Sequence, residues 1–525
     1  MLTEFSHEQN KTSLGLHFLA TYWYVVLIFI GLIVIMVWLY NRLKSRLTFT
    51  GSKKIYYIKA LAAFIAAIIL TVGGIRGDFK HSTRPITISN AGEYVKRPQE
   101  IYLVLNTPFV FIRTIFNTDL QVEHYFSDEE VEKIYTPFHY QPPADSLHQP
   151  FTKTNVIVII LESFGKEALG GYNKDLDSGR YKGYTPFLDS LMTVSKVYWN
   201  SFANGHKSID AIPSLLASIP NGPNSFVLTP YSSDSIRSLP RLLKDEGYST
   251  SFFHGAPNGS MGFLALTKLL GIDNYYGKTE YNNDADYDGV WGIWDEPFFQ
   301  FFEQKLNTFK EPFFSSIFSV SSHDPFKVPK QYIGKFKKGP LPVWECISYT
   351  DMALRKFFAK ASQQPWFKNT LFVISADHAT VSYYPEYKNA KGYVSIPILL
   401  YSGGDSTLRG VDTSIIQQID VMPSVLSYLH YDKPFTAFGE NVFSKQRLNF
   451  AYNYSGEYCW FQNNYLLFFN GDKSNGLFNY HSDKLMAKDS LEALPGVAAD
   501  MERNVKAFIQ QYNNRLIENK LTVNK

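Results

Sequence analysis

Asn155-Val156-Ile157-Val158-Ile159-Ile160-Leu161-Glu162 joins an unbroken apolar run to a carboxylate. An apolar run of this length, rich in branched side chains, is what a strand buried on both faces of a parallel sheet requires. From residue 151 onward similar runs recur at 249–253, 314–320, 371–374 and 394–400, separated by longer helix-like stretches. That alternation predicts an α/β domain, a parallel sheet sandwiched by helices. The residues that end the runs matter as much as the runs. Glu162 follows the first, His254 the second, His323 lies beyond the third, and Asp377-His378 follow the fourth. In open α/β sheets the ligand site lies outside the carboxyl ends of the strands, so these polar residues are expected to converge on one rim.

The 525 residues, 45% hydrophobic and 16% aromatic, are enough for one large domain and a membrane anchor. A formal net charge of +3, with no basic stripe, argues against a nucleic-acid partner. Cys346 and Cys459 are too few for a disulfide framework or a thiolate metal site; they read as two buried thiols, although an oxidising compartment would permit a bridge.

Residues 14–40 form an uncharged run longer than the roughly 20 residues that cross a bilayer as a helix. A second run, 60–75, is extended by Ile55, Tyr56 and Tyr57. Together they predict a transmembrane helical hairpin. Arg42, Lys44, Arg46, Lys53 and Lys54 lie between them, and so basic a short loop is retained in the cytoplasm, which would put both chain ends outside. A signal peptide would have a basic start and a shorter apolar stretch; here an acidic-containing segment precedes a longer one. The second run also has the alternative of a buried core helix.

The expected organisation is an anchor over 1–76, a partly structured connector over 77–150, a catalytic domain over 151–445, and a strand and helix subdomain over 446–525 packed on it. In the connector, Arg84-Pro85 and Pro142-Pro143 mark extended or turn segments, and Ser127-Asp128-Glu129-Glu130 reads as a capping box opening a short helix. In the tail, the aromatic segment at 465–469 reads as a strand beside the main sheet and 498–519 as a helix, with no chemistry assigned to either.

Glu162 can hold a cation at the sheet rim, or serve as an acid at a helix N-terminus. Asp377-His378 offer adjacent oxygen and nitrogen ligands. Asn204-Gly205-His206-Lys207-Ser208 introduces a helix, which sets Ser208 near a helix start that favours an anion. Ser208 is then either a nucleophile activated by a cation or an N-cap. Lys207 could neutralise phosphoryl charge. His323 and His254 are candidates for leaving-group contact or proton transfer, which imidazole performs near neutral pH.

Taken in order, Glu162-Ser163-Phe164, Gly205-His206-Lys207-Ser208, Ser322-His323-Asp324-Pro325-Phe326 and Ala376-Asp377-His378 resemble the lipoteichoic acid synthase and phosphoglycerol transferase branch of the alkaline phosphatase and sulfatase superfamily. The resemblance covers roughly residues 150–445. It implies an alkaline phosphatase/sulfatase-like fold, and a divalent cation held by Glu162, Ser208, Asp377 and His378, with Ser208 the nucleophile. It also implies that His323 faces the substrate head group; His254 is a substrate-binding candidate from its place at a strand end alone. The family's cation is typically manganese, and the ligand types also suit magnesium or zinc. The implied reaction takes a phosphoglycerol-type group from a phospholipid donor onto Ser208 and passes it to an envelope glycan or lipid acceptor, or to water. The implied location is the cell membrane, multi-pass, with the catalytic domain on the external side. Three features depart from the pattern: a serine where these synthases usually have threonine, two apolar spans where five are common, and no tryptophan or arginine over 254–261 to hold glycerol phosphate.

Two rival activities share the fold. A sulfuric ester hydrolase needs Cys/Ser-x-Pro/Ala-x-Arg for conversion to formylglycine, and Ser208-Ile209-Asp210-Ala211-Ile212 lacks both later residues. Phosphoethanolamine transferases usually carry several disulfides, which two cysteines fit poorly. A binding or assembly protein that had lost catalysis would have no need to keep every ligand position filled.

Overall fold

The computed structural model describes residues 23–43, 52–76, 91, 94–95, 100–105, 108, 110, 120–140 and 150–523. The chain divides into two compact units, residues 1–75 and 76–525.

In the first unit, helices α1 (Trp23–Leu43) and α2 (Lys53–Arg76) occupy the two apolar runs. Among the described residues one helix, Lys53–Ile75, is long and apolar enough to cross a membrane. Residues 14–22 of the first expected span, and Lys44 and Arg46 of the expected basic turn, lie outside the described residues, as do Arg84-Pro85 and Pro142-Pro143 of the connector.

The second unit is built on an eight-stranded sheet. In chain order its strands are β1 (Asn155–Leu161), β2 (Lys196–Phe202), β3 (Ser249–His254), β4 (Asn274–Tyr276), β5 (Phe313–Phe318), β6 (Thr370–Ala376), β7 (Ile398–Ser402) and β8 (Gly410–Gln417). Across the sheet they run β4-β3-β5-β1-β6-β7-β2-β8. All residues of β1, β5 and β6 are buried, which is why their sequences are mostly apolar and show no period-two alternation.

The expected all-parallel sheet needs two corrections. Strand β7 runs antiparallel to both β6 and β2, so the sheet is mixed. It begins at Ile398, not at 394, because Pro397 has no amide to donate to a ladder; Gly392–Val394 forms a 3-10 turn instead. Strands β2, β4 and β8 add to the five expected from the sequence. Helix α3 (Ser208–Ala217) follows β2, and α4 (Asp295–Leu306) packs along α5 (Val343–Ala361).

The tail forms its own four-stranded antiparallel sheet, β9 (Phe450–Tyr454), β10 (Tyr458–Gln462), β11 (Tyr465–Phe469) and β12 (Ser474–Asn479), not extra strands of the main one. It is joined to β8 by side chains: Gln417 Nε2 donates to the Phe450 carbonyl, and the Tyr452 amide donates to Gln417 Oε1. Helix α6 (Pro495–Ile517) then fastens the connector, since Gln510 bonds the amide and carbonyl of Phe126, and Asn514 those of Glu123. Ser127 caps the helix Asp128–Ile134 by accepting from the Glu130 amide. Cys346 and Cys459 are buried free thiols.

Ile159 is fully buried at the centre of β1. Ile159→Ala should lower stability by about 2–5 kcal/mol, read from the midpoint of chemical unfolding. A shift within about 0.5 kcal/mol, the usual range for surface positions, would contradict the central place of this strand.

Candidate active site

Strands β1 and β6 are parallel neighbours in which Leu161 pairs with Ala376, so the next residues, Glu162 and Asp377, emerge side by side. Both are buried. The nitrogen Nε2 of His378 lies 3.2 Å from Asp377 Oδ2 and 3.8 Å from Glu162 Oε1. One ligand atom from each of the three falls within 4.8 Å of the others. Ser208, from α3, donates its hydroxyl to Glu162 Oε2 at 3.0 Å. The four residues proposed from sequence to share a cation are therefore in one place.

The sequence left Ser208 open between a cap and a nucleophile. Lys207 occupies the N-cap position, and Asp210 Oδ2 accepts from the amides of His206 and Lys207 at 3.3 and 3.2 Å. The helix start is thus closed by Asp210, while the Ser208 hydroxyl is turned to Glu162. Gly205 makes this turn possible, because a Cβ there would lie 2.3 Å from Asp210 Cβ.

A residue not singled out from sequence holds the two carboxylates. Ser163 has φ of 61°, a left-handed conformation that non-glycine residues seldom adopt. In it the amide donates to Asp377 Oδ1 at 2.7 Å and the hydroxyl donates to Glu162 Oε1 at 2.7 Å. Asp377 Oδ1 also accepts the His378 amide at 2.6 Å. Asp377 Oδ2 is left buried with no hydrogen-bond partner among the described residues.

Electrostatics follow from that crowding. Burial, and then the charge on Glu162, push the Asp377 carboxyl well above its ordinary range. Burial would raise Glu162 too, but the nearby His378 and His323 and the Ser163 hydrogen bond outweigh it and hold Glu162 below its usual value. His378 is raised, because Asp377 and Glu162 outweigh its own burial. An orphaned buried carboxylate oxygen beside a second carboxylate, an imidazole nitrogen and a serine oxygen is a donor set for manganese, magnesium or zinc. Nδ1 of His378 lies 2.8 Å from the Ala379 carbonyl, which selects the tautomer that leaves Nε2 free as a ligand.

The other residues named from sequence sit around this centre. His323, half-buried on the loop after β5, rests against Trp291 with ring centroids 4.0 Å apart. His254 ends β3, fully buried; burial pushes its pKa down to about 3, and Nε2 lacks a partner among the described residues. It is a neutral imidazole able to hydrogen-bond a substrate oxygen, not a proton store at neutral pH. The Lys207 side chain is exposed.

Sequence reasoning also missed the frame. The Glu162 amide donates to Ser319 Oγ at 2.9 Å, and Ser322 Oγ donates to the Glu162 carbonyl at 2.5 Å. Asp295, buried, accepts the amides of Val320 and Ser321 and so fixes the loop that carries Ser322 and His323. Gln418 Oε1 accepts the Asn204 amide at 2.9 Å, while its Nε2 donates to the Asp377 carbonyl at 2.7 Å, tying the Ser208 loop to the end of β6. The tail takes part as well: His206 Nε2 is 2.8 Å from Asn453 Oδ1, and Asn453 Nδ2 donates to the Ala203 carbonyl. The Ser-rich stretch before His323 was the only local signal for any of this.

Ser163→Ala should weaken binding of Mn2+ by about 10-fold, the lower end of what loss of a ligand-orienting group costs, and Asp377→Asn should weaken it further. Calorimetric titration checks both. Unchanged affinity in the two variants would contradict an ion between these side chains.

A family model described as Sulfatase matches residues 154–431. Lipoteichoic acid synthase 1 of Bacillus subtilis (strain 168) is 25% identical over 348 residues, covering 61% of this chain and 53% of that protein, so the match spans about half of that relative's length. Lipoteichoic acid synthase of Staphylococcus aureus (strain USA300) is 24% identical over 516 residues, 92% of this chain and 74% of that one. The fold is similar to that of a protein in the alkaline phosphatase superfamily from Vibrio parahaemolyticus, with TM-score 0.64, 22% identity and coverage of 74% of this chain and 92% of the other. The lipoteichoic acid synthase LtaP from Listeria monocytogenes gives TM-score 0.59 at 20% identity, over 74% and 98%. The family model takes in more than half of the chain and the solved structures share its α/β fold; the protein belongs to the Sulfatase family and is an enzyme of the transferase or hydrolase type.

Proposed function

We propose that the protein is a membrane-anchored, cation-dependent transferase that moves a phosphoglycerol-type group from a phospholipid, through a covalent link to Ser208, to a hydroxyl of a cell-envelope glycan or lipid. In this reading residues 1–76 anchor the chain, with α2 as a span; 77–150 connect, 151–445 catalyse on the external side, and 446–525 brace the nucleophile loop. The observation that carries it is the hydrogen bond from Ser208 Oγ to Glu162 Oε2, 3.0 Å long, in a site with an orphaned carboxylate oxygen. The names of the relatives, lipoteichoic acid synthases, support the choice of phosphoglycerol over a sulfate ester.

Bound at Glu162, Asp377, His378 and Ser208, a divalent cation would supply the positive charge that lets a serine hydroxyl act as a nucleophile at neutral pH. The protein's own groups do the rest. Glu162 takes the Ser208 hydrogen bond and so aims an oxygen lone pair outward. Ser208 Oγ gives its proton to Glu162 Oε2 and bonds to phosphorus, and the bond from phosphorus to the diacylglycerol oxygen breaks. His323, beside Trp291, is suited to give that oxygen its proton, and diacylglycerol leaves. An acceptor hydroxyl then attacks the phosphorus and passes its proton to His323, the bond from phosphorus to Ser208 Oγ breaks, and Glu162 returns the proton to Ser208. The N-terminus of α3 and the Lys207 side chain favour the phosphoryl charge throughout. The neutral His254 offers Nε2 to the bound group.

Incubation of the full chain in detergent with phosphatidylglycerol and Mn2+ should yield a phosphoglycerol adduct on the Ser208 peptide by mass spectrometry, with equimolar diacylglycerol. Ser208→Ala should lose the adduct and at least about 1,000-fold in turnover, as for removal of other enzymatic nucleophiles. Turnover that persists in Ser208→Ala overturns the nucleophile, an ethanolamine-bearing adduct from phosphatidylethanolamine alone overturns the donor, and formylglycine at 208 selects sulfate-ester hydrolysis.

A further inference from the structure

A cavity of about 440 Å³ lies between the segment after β1, the 386–395 loop and the end of β12, and none of Glu162, Ser208, Asp377 or His378 lines it. Its wall contains two lysine side chains, Lys166 and Lys391. Lys166 is buried, only 5% exposed; its Nζ donates to the Trp199 carbonyl at 2.6 Å and stands 4.8 Å from the Tyr172 ring centroid. Lys391 Nζ is 5.5 Å from the Tyr480 ring centroid and 3.4 Å from the Tyr480 carbonyl. Neither lysine has a carboxylate within ion-pair distance among the described residues. A buried cation without a counter-charge is costly. Accordingly, burial and then the charge of Lys391 hold Lys166 well below its ordinary pKa, and burial lowers Lys391 to about 8.

Two further buried atoms of the same wall lack partners among the described residues: the Tyr480 hydroxyl and Glu386 Oε2. One can donate and the other accept. The remaining carboxylate, Asp175, is engaged by Lys484. At the mouth Trp199 is 40% exposed, with its ring 5.3 Å from that of Tyr172. An exposed indole face beside unpaired donors and acceptors suits the apolar face and the hydroxyls of a sugar ring.

We propose that this cavity is a binding site for a sugar that carries an oxyanion, phosphate or carboxylate, with the oxyanion between Lys166 and Lys391, the ring against Trp199, and hydroxyls on Glu386 and Tyr480. Such a ligand arrives either as a free molecule or as a unit of an anionic polymer. The site is separate from the Ser208 centre, so the inference stands whether or not the proposed transfer does.

Calorimetric titration of the detergent-solubilised full chain with glucose 6-phosphate, glucuronate, glucose and inorganic phosphate tests it. At least one sugar anion should bind ten-fold or more tightly than both glucose and inorganic phosphate. Lys391→Met and Trp199→Ala, each checked for unchanged thermal unfolding, should weaken that binding at least ten-fold, while Ser208→Ala should bind as the parent does. Polygalacturonate binding more tightly per residue than glucuronate assigns the site to polymer; equal or weaker binding assigns it to free sugar anions. No binding at millimolar concentration, binding unaffected by both cavity variants, or binding lost in Ser208→Ala overturns the proposal.

Discussion

Glu162 and Asp377 stand side by side at the ends of neighbouring parallel strands, buried, with one imidazole between their outer oxygens. Two unit negative charges about 5 Å apart repel by roughly 3 kcal/mol at an effective dielectric of about 20, and burial adds to that cost. Ser163 donates one hydrogen bond to each carboxylate, and a charge-assisted bond returns about 1.5–3 kcal/mol. The repulsion and the two bonds are therefore of similar size. The desolvation of both carboxylates is left over, and the orphaned Asp377 Oδ2 marks where an opposite charge would meet it. The left-handed backbone at Ser163 sets its hydroxyl relative to its amide, so that one residue reaches both carboxylates.

Much of the surrounding structure can be understood as keeping that pair and Ser208 in register. The order of β5, β1 and β6 sets the loops of Ser319, Glu162 and Asp377 in a row. Asp295 pins the first of these loops by its amides, and Gln418 joins the third to the loop before α3. The C-terminal sheet braces that same loop from the far side through Asn453. A segment with no chemistry of its own thereby controls where the serine oxygen sits.

The parts legible in the sequence were those with a local pattern. The buried strands β1, β5 and β6 read as largely apolar runs without alternation, and the polar residues just past the ends of β1 and β6 are the ones the fold brings together. Strand β2 was not legible because exposed and half-buried residues, among them Trp199 and Asn200, interrupt its pattern, and β8 because its first half is polar. The reversal of β7 was hidden for a different reason: an apolar run carries no direction, and only Pro397 hinted at where it starts. Ser163, Asn204 and Gln418 escaped because their roles come from contacts across more than two hundred residues. Ser208 was legible as a candidate and ambiguous in role, since a serine at a helix start looks the same whether its hydroxyl turns to its own helix or to a carboxylate on another strand.

The most direct test of the account is anomalous diffraction from crystals of the protein grown with Mn2+. The account predicts a single strong peak about 2–2.5 Å from one oxygen each of Glu162, Asp377 and Ser208 and from Nε2 of His378. A structure in which those four side chains keep the arrangement described here while the only manganese lies elsewhere would contradict it.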